Sequence, residues 1–365
     1  MTGPIVLAAG GTGGHLFPAE SLARELKARG LPVVLISDER VSDFAASFPA
    51  DAIHQVTSGT VTGKGLPGKI KGVIALGRGI LECRSLLAIL KPAAVVGFGG
   101  YPTVPPLLAA TFAGIPTVLH EQNAVMGRAN RFLSKRVSRV ATGFPIGGGT
   151  IQVGNPVRRS VLSAALSPMP PIEPGGALKL LIFGGSQGAR IMGEIVPPAM
   201  ALLPPEKRAR LIVTQQVRQE DLDSVRAEYA RLGVAAECNA FFRDLPVRMA
   251  GSHLVIARSG ASTVAELCVI GRASILVPLP GALDQDQAAN AAIVADAGGA
   301  EVMRQGSQFT PPLLAERLLA LLDQPETLAT MAAKAHAIGI HDAAARLADV
   351  VLAVAGAAKS ANATT

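Results

Sequence analysis

Four glycines and a histidine follow the first apolar run of the chain, in the stretch AAGGTGGHLFPAE at residues 8–20. Glycine permits positive φ and lets the backbone approach another group closely. Between a strand and a helix, such a turn exposes unbonded N–H groups at the positive end of the helix dipole, which suits phosphate. Because imidazole titrates near neutrality, His15 is placed to act as a general base beside a bound anion. A tight structural turn is the alternative interpretation.

Polar side chains follow two later apolar runs as well. GFGGYP at residues 97–102 contributes Tyr101, and HEQN at residues 120–123 contributes His120, Glu121 and Asn123. At the ends of parallel strands, these side chains and His15 would lie on one side of a sheet. His15 is the first choice for a general base, and Glu121 is the alternative. Structural roles are expected for four other histidines, namely His54, His253, His336 and His341.

The second half of the chain repeats the order of apolar run, glycine turn and helix. LKLLIFGGSQGARI at residues 178–191 places Ser186 and Gln187 at a helix start that would suit phosphate. ARSGASTVAELCVIG at residues 257–271 places Glu266 three residues after Thr263. This pair is either a capping box or a site where Glu266 accepts hydrogen bonds from a ribose. PGALDQDQAANA at residues 280–291 places three polar side chains near another helix start, namely Asp284, Gln287 and Asn290.

The elements that must position these residues alternate along the chain. Short β-branched runs are separated by helical stretches, the first of which are predicted near residues 17–29, 70–90, 104–113 and 126–135. Proline and glycine cluster at residues 168–176, between two series of such units. The pattern predicts an α/β protein with two Rossmann-like domains, residues 1–160 and 161–340, whose parallel sheets face a shared cleft. The last apolar helix, about residues 342–356, is expected to pack back on the first domain.

Composition narrows the classes of function. The 365 residues are 49% hydrophobic and 17% charged, enough for a large core. Aromatic residues make up 4% and tryptophan is absent, which disfavours a nucleic-acid partner. The net charge of +7 fits an anionic membrane surface or phosphorylated substrates. Three scattered cysteines indicate neither disulfides nor a zinc site, and no signal peptide or membrane-spanning helix is expected.

Several enzyme classes share these features. A dehydrogenase is possible because Asp38 or Glu39 ends the second predicted strand and would reach a ribose. However, GGTGGH is not a complete G-x-G-x-x-G pattern, and the chain has no G-K-[ST] of a P-loop. A UDP-sugar epimerase of the same two-domain fold is a second alternative. A non-catalytic subunit that binds the donor or docks on the membrane is a third.

Taken in order, seven segments resemble the MurG family of glycosyltransferases. They are GGTGGHLFPA, GFGGYPT, HEQN, GNPVR, GGSQGAR, ARSGASTVAE and DQDQAANA, and they run from residue 10 to residue 291. The resemblance implies a GT-B fold and an inverting transfer of N-acetylglucosamine from UDP-N-acetylglucosamine, with no cofactor and no metal. The acceptor would be the 4-hydroxyl of undecaprenyl-pyrophosphoryl-N-acetylmuramoyl-pentapeptide, at the cytoplasmic face of the bacterial membrane. Another GT-B enzyme that uses a UDP-sugar, such as a glycolipid synthase, is the alternative.

The resemblance also carries the family's donor contacts onto positions in both halves of the chain. They are Thr12, Gly13, Gly14, Asn123, Arg158, Ser186, Gln187, Phe242, Ala261, Ser262, Thr263, Glu266 and Gln287. In this assignment the backbone of Phe242 binds uracil, Glu266 binds the ribose and Ser186 meets the diphosphate. The acceptor contacts are His15 and Tyr101. The chain departs from the common pattern at Phe242, which is aromatic, and at Ser262, where leucine is common.

Residues 64–91 combine basic and apolar side chains. Six basic residues stand against the single Glu82, and they are Lys64, Lys69, Lys71, Arg78, Arg84 and Lys91. This composition predicts either a helix that lies on an anionic membrane or an ordinary half-buried helix. Members of the resembled family often place tryptophan at the membrane, whereas this chain has none.

Overall fold

The computed structural model describes residues 3–10, 13–39, 47–57, 65–173, 175–185, 188–281 and 285–363. The chain divides into two compact units. Unit 1 comprises Met1–Arg158 and Asp342–Thr365, and unit 2 comprises Arg159–His341. Each unit is built on one parallel sheet.

The sheet of unit 1 has seven strands in the order β3-β2-β1-β4-β5-β6-β7. The strands are β1 (Ile5–Ala8), β2 (Val33–Ser37), β3 (Ala52–Gln55), β4 (Ala94–Gly97), β5 (Thr117–Glu121), β6 (Arg139–Thr142) and β7 (Ile151–Gln152). The strands β1, β2 and β4 are nearly continuous apolar runs because helices cover both faces of the sheet. In the register, Ala8 of β1 lies beside Gly97 of β4, so the turns that follow these two strands begin at the same edge.

Helices cover the two faces of this sheet. α1 (Gly13–Ala28) and the last helix, α14 (Ala343–Ala363), share one core with the sheet. Arg29, just after α1, donates to the Asp349 carboxylate at 2.6 Å and to the Ala345 carbonyl at 3.2 Å. α2 (Gly65–Leu90), α3 (Val104–Phe112) and α4 (Arg128–Ser134) form a second core with the other face. The chain therefore returns to unit 1 for its last helix, which completes the core of that unit.

The sheet of unit 2 has six strands in the order β10-β9-β8-β11-β12-β13. The strands are β8 (Leu178–Phe183), β9 (Leu211–Gln216), β10 (Ala235–Asn239), β11 (Leu254–Ala257), β12 (Ala273–Leu276) and β13 (Ala300–Val302). The helices are α5 (Arg159–Ala164), α6 (Arg190–Ala201), α7 (Pro205–Arg208), α8 (Leu222–Leu232), α9 (Leu245–Ala250), α10 (Ala261–Ile270), α11 (Asp286–Asp296), α12 (Pro311–Asp323) and α13 (Glu326–Ala337). Residues of α6, α8, α12 and α13 form the main core with the sheet.

A buried arginine ties together the helices on the other face of this sheet. The side chain of Arg272 is among the largest fully buried ones, and its guanidinium donates to backbone carbonyls at the ends of α9 and α10 and in the segment just after α5. The acceptors are Ser167, Pro168, Ala250, Ile270 and Gly271. Carbonyls at helix C-termini lack intrahelical partners and carry partial negative charge, so one cation satisfies several of them.

Three local features differ from the sequence prediction. The strands β7 and β13 were not predicted, because two or three residues are too few to show alternation. α1 begins at Gly13 and not near residue 17, so His15 lies in its first turn.

Among the described residues, no helix is both long enough and apolar enough to cross a membrane.

Candidate active site

In unit 1 the candidate residues follow strands that are neighbours in the sheet. β1 and β4 are adjacent although they are far apart in sequence, and the strand order reverses direction between them. Such a switch point opens a crevice outside the carboxyl ends of the strands, where open α/β sheets bind ligands. The turn with His15 follows β1, the turn with Tyr101 follows β4, and Glu121 ends β5 on the far side of β4.

The imidazole of His15 lies against the glycine turn that follows β4. A Cβ atom built on Gly100 would lie 3.4 Å from Cε1 and 3.6 Å from Nδ1 of His15. Gly99 and Gly100 have φ values of +87° and +76°, which only glycine adopts at low cost. Tyr101 follows directly and is 37% exposed. The imidazole at the helix N-terminus and the phenol are therefore brought to the same part of the sheet edge.

The carboxylate of Glu121 is buried, with 2% of the residue exposed, and it accepts four hydrogen bonds. Oε1 accepts from the backbone N–H and the Nδ2 of Asn123, at 2.9 and 3.2 Å. Oε2 accepts from the N–H of Gly127 at 3.1 Å and from Nδ2 of Asn130 at 2.7 Å. The Asn130 amide also lies against Gly99, since a Cβ there would be 3.0 Å from its Nδ2. Glu121 therefore orders the loop that follows β5 and, through Asn130, supports the glycine turn beside His15.

His120 does not face the edge of the sheet, so its predicted place beside His15 was wrong. It lies inside β5 and is fully buried, because β5 extends to Glu121 and neighbouring side chains of a strand point to opposite faces. Its Nε2 donates to the Gly154 carbonyl at 3.0 Å, and its Nδ1 accepts from Nε2 of Gln122 at 3.1 Å. Burial lowers the pKa of His120 to about 4. The neutral ring therefore joins β5 to the GNPVR segment at residues 154–158.

The GNPVR segment carries Arg158 onto α1. The Arg158 guanidinium lies 4.4 Å from the centre of the Phe17 ring, in a cation–π arrangement. The same ring contacts Gly13, where a Cβ would come within 3.0 Å of Cε2. Ser21 on α1 donates to the Val157 carbonyl at 2.9 Å. Arg158 and Gly13 thus lie at the same end of α1, and Gly14 is exposed beside them, whereas Thr12 lies outside the described residues.

In unit 2 the switch point lies between β8 and β11. The turn after β8 is tight, because a Cβ on Gly184 would come within 2.2 Å of the Ala189 nitrogen. Gly188 has a φ of +69° and packs against the side chain of Arg218. Ser186 and Gln187, the predicted diphosphate contacts of this turn, lie outside the described residues.

The segment after β11 leads directly into α10, which begins at Ala261 with Gly260 as its N-cap. Thr263 is therefore inside the first turn, and the N-cap residue is a glycine, which has no side chain to bond the helix N–H groups. The capping-box interpretation of Thr263 and Glu266 is wrong for this reason. Ser262 and Thr263 are half-buried and Glu266 is 5% exposed. The predicted ribose ligand thus lies one turn into the helix.

Gln287 and Asn290 of α11 hold the segment before α10. Ser259 donates from Oγ to the Gln287 carbonyl at 2.7 Å, and Asn290 donates from Nδ2 to the Ser259 carbonyl at 3.1 Å. The side chain of Gln287 accepts from the N–H of Leu279 at 3.0 Å. These bonds join the start of α10 to the segment after β12, and Asp284 lies outside the described residues.

A further charged residue at this edge, Arg258, was missed by the sequence analysis. It directly follows β11, before α10, and is 8% exposed. Its Nη1 donates to the carbonyls of Val277 and Pro278 at 3.0 and 3.1 Å, and Nη2 donates to Oε1 of Gln305 at 2.6 Å. Burial lowers its pKa, because a charged guanidinium is poorly solvated there. A charged residue directly after a buried strand was the signal in the sequence.

The predicted uracil contact, Phe242, lies in the loop between β10 and α9. Its ring is buried, and in the part of the chain that the structure describes its backbone N–H and carbonyl make no hydrogen bond. This leaves one donor and one acceptor at the same residue. The described residues hold no cluster of three His, Cys, Asp or Glu side chains arranged for a metal ion.

Comparison with known proteins agrees with the architecture. The glycosyltransferase family 28 N-terminal domain matches residues 5–142, and the family 28 C-terminal domain matches residues 179–347. The UDP-N-acetylglucosamine–N-acetylmuramyl-(pentapeptide) pyrophosphoryl-undecaprenol N-acetylglucosamine transferase of Methylobacterium radiotolerans is 53% identical over 361 residues, which are 96% of this chain and 98% of that protein.

Among solved structures, MurG of Acinetobacter baumannii aligns with a TM-score of 0.78 and 29% identity, over 96% of this chain and 99% of that one. The UDP-GlcNAc 2-epimerase of Neisseria meningitidis aligns with a TM-score of 0.65 at 15% identity, over 95% of this chain and 99% of that one, which shows the fold alone. Both the predicted GT-B fold and the predicted family are confirmed. The chain belongs to glycosyltransferase family 28, as a member of its MurG family.

Proposed function

We propose that this protein transfers N-acetylglucosamine from UDP-N-acetylglucosamine to the 4-hydroxyl of undecaprenyl-pyrophosphoryl-N-acetylmuramyl-pentapeptide, with inversion at the sugar carbon. The observation that carries the proposal is the 53% identity to a transferase of that name over nearly the full length of both chains. The epimerase shares the fold at 15% identity only, so the fold itself does not favour epimerisation.

The donor is assigned to the strand ends of unit 2. The N-terminus of α10 follows β11 and a glycine turn follows β8, the two strands at the switch point, and N–H groups at such a helix start would stabilise a diphosphate as it leaves. The buried guanidinium of Arg258 adds a full positive charge behind this position. Glu266 is assigned to the ribose hydroxyls, and the unbonded backbone of Phe242 is assigned to the uracil.

The acceptor is assigned to unit 1, with His15 as the general base. Its imidazole lies beside the Tyr101 turn, in the first turn of α1. Glu121, the alternative base, accepts four hydrogen bonds in a buried position, and this arrangement suits a positioning role. In the transfer, the acceptor 4-hydroxyl oxygen forms a bond to C1 of the donor sugar and gives its proton to His15, while the bond from C1 to the diphosphate breaks and UDP leaves with the negative charge.

Membrane attachment is assigned to the layer of α2, α3 and α4. Apolar side chains on this layer are exposed, and they are Val73, Ile74, Leu81, Ile89, Phe112 and Phe132. The exposed cations Lys71, Arg78 and Arg84 lie on the same helix as four of them. We infer that this layer rests on the anionic cytoplasmic face of the membrane, where the lipid-linked acceptor is anchored.

The test is transfer of radiolabelled N-acetylglucosamine from UDP-N-acetylglucosamine to a lipid-linked muramyl-pentapeptide acceptor, with the product extracted into organic solvent. We expect acceptor-dependent labelled lipid and stoichiometric UDP. A protein that instead interconverts the UDP-sugar without acceptor would contradict the proposal. A protein that binds UDP-N-acetylglucosamine but does not catalyse transfer would also contradict the proposal.

A further inference from the structure

Arg248 of α9 makes three contacts around the loop between β10 and α9. Its Nη1 donates to Oε2 of Glu237 on β10 at 2.5 Å, and its Nε donates to Oδ1 of Asp244 at 2.8 Å. Its guanidinium carbon lies 4.3 Å from the centre of the Phe242 ring. Glu237 precedes the loop, Phe242 lies within it and Asp244 ends it. One side chain thus links the two ends of the loop and its buried ring.

Hydrogen bonds hold the beginning of this loop, whereas its middle is held mainly by side-chain packing. Val217 donates to the Asn239 carbonyl at 3.0 Å, and Gln216 donates from its side chain to the Ala240 carbonyl at 3.2 Å. Phe241 is 64% exposed, whereas Phe242 is 6% exposed. Because the backbone of Phe242 makes no hydrogen bond in the described residues, its position depends on how its ring is packed.

We infer that Arg248 is a positioning residue for nucleobase recognition, which fixes the backbone of Phe242 by bracing its ring and both ends of its loop. The inference rests on the proposed function, which assigns that backbone to the uracil of the donor. Uracil presents an N–H donor next to carbonyl acceptors, whereas cytosine presents an amino donor next to a ring-nitrogen acceptor. A rigid backbone N–H and carbonyl therefore distinguish the two bases, and a loosened loop distinguishes them less well.

The positive charge of Arg248 is paired with two carboxylates, those of Glu237 and Asp244. The side chain of Arg248 is 24% exposed, so it is partly shielded from solvent. The carboxylates of Glu237 and then Asp244, which accept hydrogen bonds from Arg248, raise the pKa of Arg248, and Arg248 in turn lowers the pKa of Asp244. Arginine suits this position because its planar guanidinium can stack on a ring while its N–H groups bind carboxylates.

The test uses Arg248→Leu, which keeps most of the apolar stem and removes the guanidinium. We expect the KM for UDP-N-acetylglucosamine to rise about five- to tenfold, the size expected for a cation–π contact and two partly exposed ion pairs lost together. The kcat at saturating donor and the KM for the lipid acceptor should stay unchanged. Titration calorimetry should show a smaller ratio of UDP to CDP affinity than in the unmodified protein.

Arg231→Leu is the matched control. Arg231 is also an ion-paired arginine of unit 2, but it contacts Glu228 of its own helix, at 2.9 and 2.6 Å, and no residue of the loop. This variant should keep both the donor KM and the UDP to CDP ratio. If Arg248→Leu does not fold, Arg248→Lys serves instead, because it keeps the positive charge and loses the planar guanidinium.

A second variant tests whether Arg248 acts through the ring. Phe242→Ile retains the backbone, and in the double variant with Arg248→Leu the two effects on UDP affinity should be less than additive. A folded Arg248→Leu or Arg248→Lys protein with unchanged donor KM and unchanged base preference overturns the inference. In that case the unmodified protein would still transfer the sugar, so the proposed function would stand. An unmodified protein that binds neither UDP nor CDP would overturn both.

Discussion

The two units share the order of strand, glycine turn and helix, but their charges are arranged in opposite ways. Unit 1 contains 18 Lys and Arg against 10 Asp and Glu, whereas unit 2 contains 16 against 17. At the strand ends the signs reverse. Unit 1 buries the Glu121 carboxylate among N–H donors, and unit 2 buries the Arg258 guanidinium among oxygen acceptors.

This difference shows that net charge describes a surface and not a site. The excess basic residues of unit 1 include the exposed cations of α2, which suit a membrane. The buried ions are each held by neutral hydrogen-bonding groups, because an unpaired charge in a protein interior is costly. The charge of each buried residue matches its assigned role. The cation Arg258 within unit 2 favours a bound diphosphate, and the carboxylate Glu121 within unit 1 accepts hydrogen bonds from the N–H groups of the neighbouring loop.

The largest expected effect separates the two acid–base candidates of unit 1. His15→Ala should lower kcat about 10²- to 10⁴-fold with UDP affinity nearly unchanged, because it removes the proton acceptor. Glu121→Gln keeps one of the two carboxylate oxygens and should lower kcat less, together with thermal stability. The kcat and the acceptor KM of both variants are measured by varying the acceptor up to saturation. Near-normal kcat for His15→Ala would contradict the assignment, and a rise in acceptor KM alone would make His15 a binding residue.

The next effect concerns the buried neutral ring of His120. Its pKa is about 4 in the folded protein, against about 6.5 in an unfolded chain. The unfolded state therefore binds more protons between these values, so the contribution to stability is complete above about pH 6.5 and declines as the pH falls toward 4. The loss should reach about 3 kcal/mol near pH 4.

Unfolding by denaturant at pH 7.5 and at pH 5 measures this slope, which is the change in the free energy of unfolding with pH. His120→Gln should have a lower stability at pH 7.5 and a smaller further loss at pH 5. His54→Gln, at a half-buried position on β3, is the control and should keep the slope of the unmodified protein. An identical slope for His120→Gln would show that this histidine does not titrate as its burial requires.

A third prediction compares two residues of unit 2. Glu266→Ala should weaken UDP and uridine binding equally, by about 1 to 3 kcal/mol, because both ligands carry the ribose. Arg258→Met should weaken UDP about tenfold and uridine much less, because its charge acts on the diphosphate. Calorimetry with both ligands measures the contrast, with Arg231→Met as the control. Equal losses of the two ligands in Arg258→Met would mean that Arg258 acts only by holding the neighbouring loops.

The last prediction concerns the surface of unit 1. Basic residues near an anionic membrane contribute about 1 kcal/mol each, and salt screens them. Lys71→Glu with Arg84→Glu should therefore lower binding to phosphatidylglycerol vesicles at least about tenfold, and the remaining binding should depend less on salt. The same reversals at Lys207 and Arg231 of unit 2 should have little effect. Salt-independent vesicle binding would contradict the electrostatic part of the membrane assignment.

The sequence by itself determined the fold class and the family. Apolar runs of four to six residues, glycine turns and helical periodicity are local signals, so they indicated the parallel α/β architecture before any contact was known. The order of seven short segments then pointed to the family, and the comparisons confirmed it. The residues assigned to donor and acceptor remain predictions, and Thr12, Ser186 and Gln187 lie outside the described residues.

Only the tertiary structure decided which polar side chains face the sheet edge and which are buried. The exact end of β5 set the direction of His120, and the start of α10 at Ala261 removed the capping box, although T-x-x-E matches that motif. Arg258 depends for its partners on Val277 and Gln305, which lie 19 and 47 residues further along the chain. Partners this far along the chain meet through the strand order, and that order is fixed by the packing of the whole sheet.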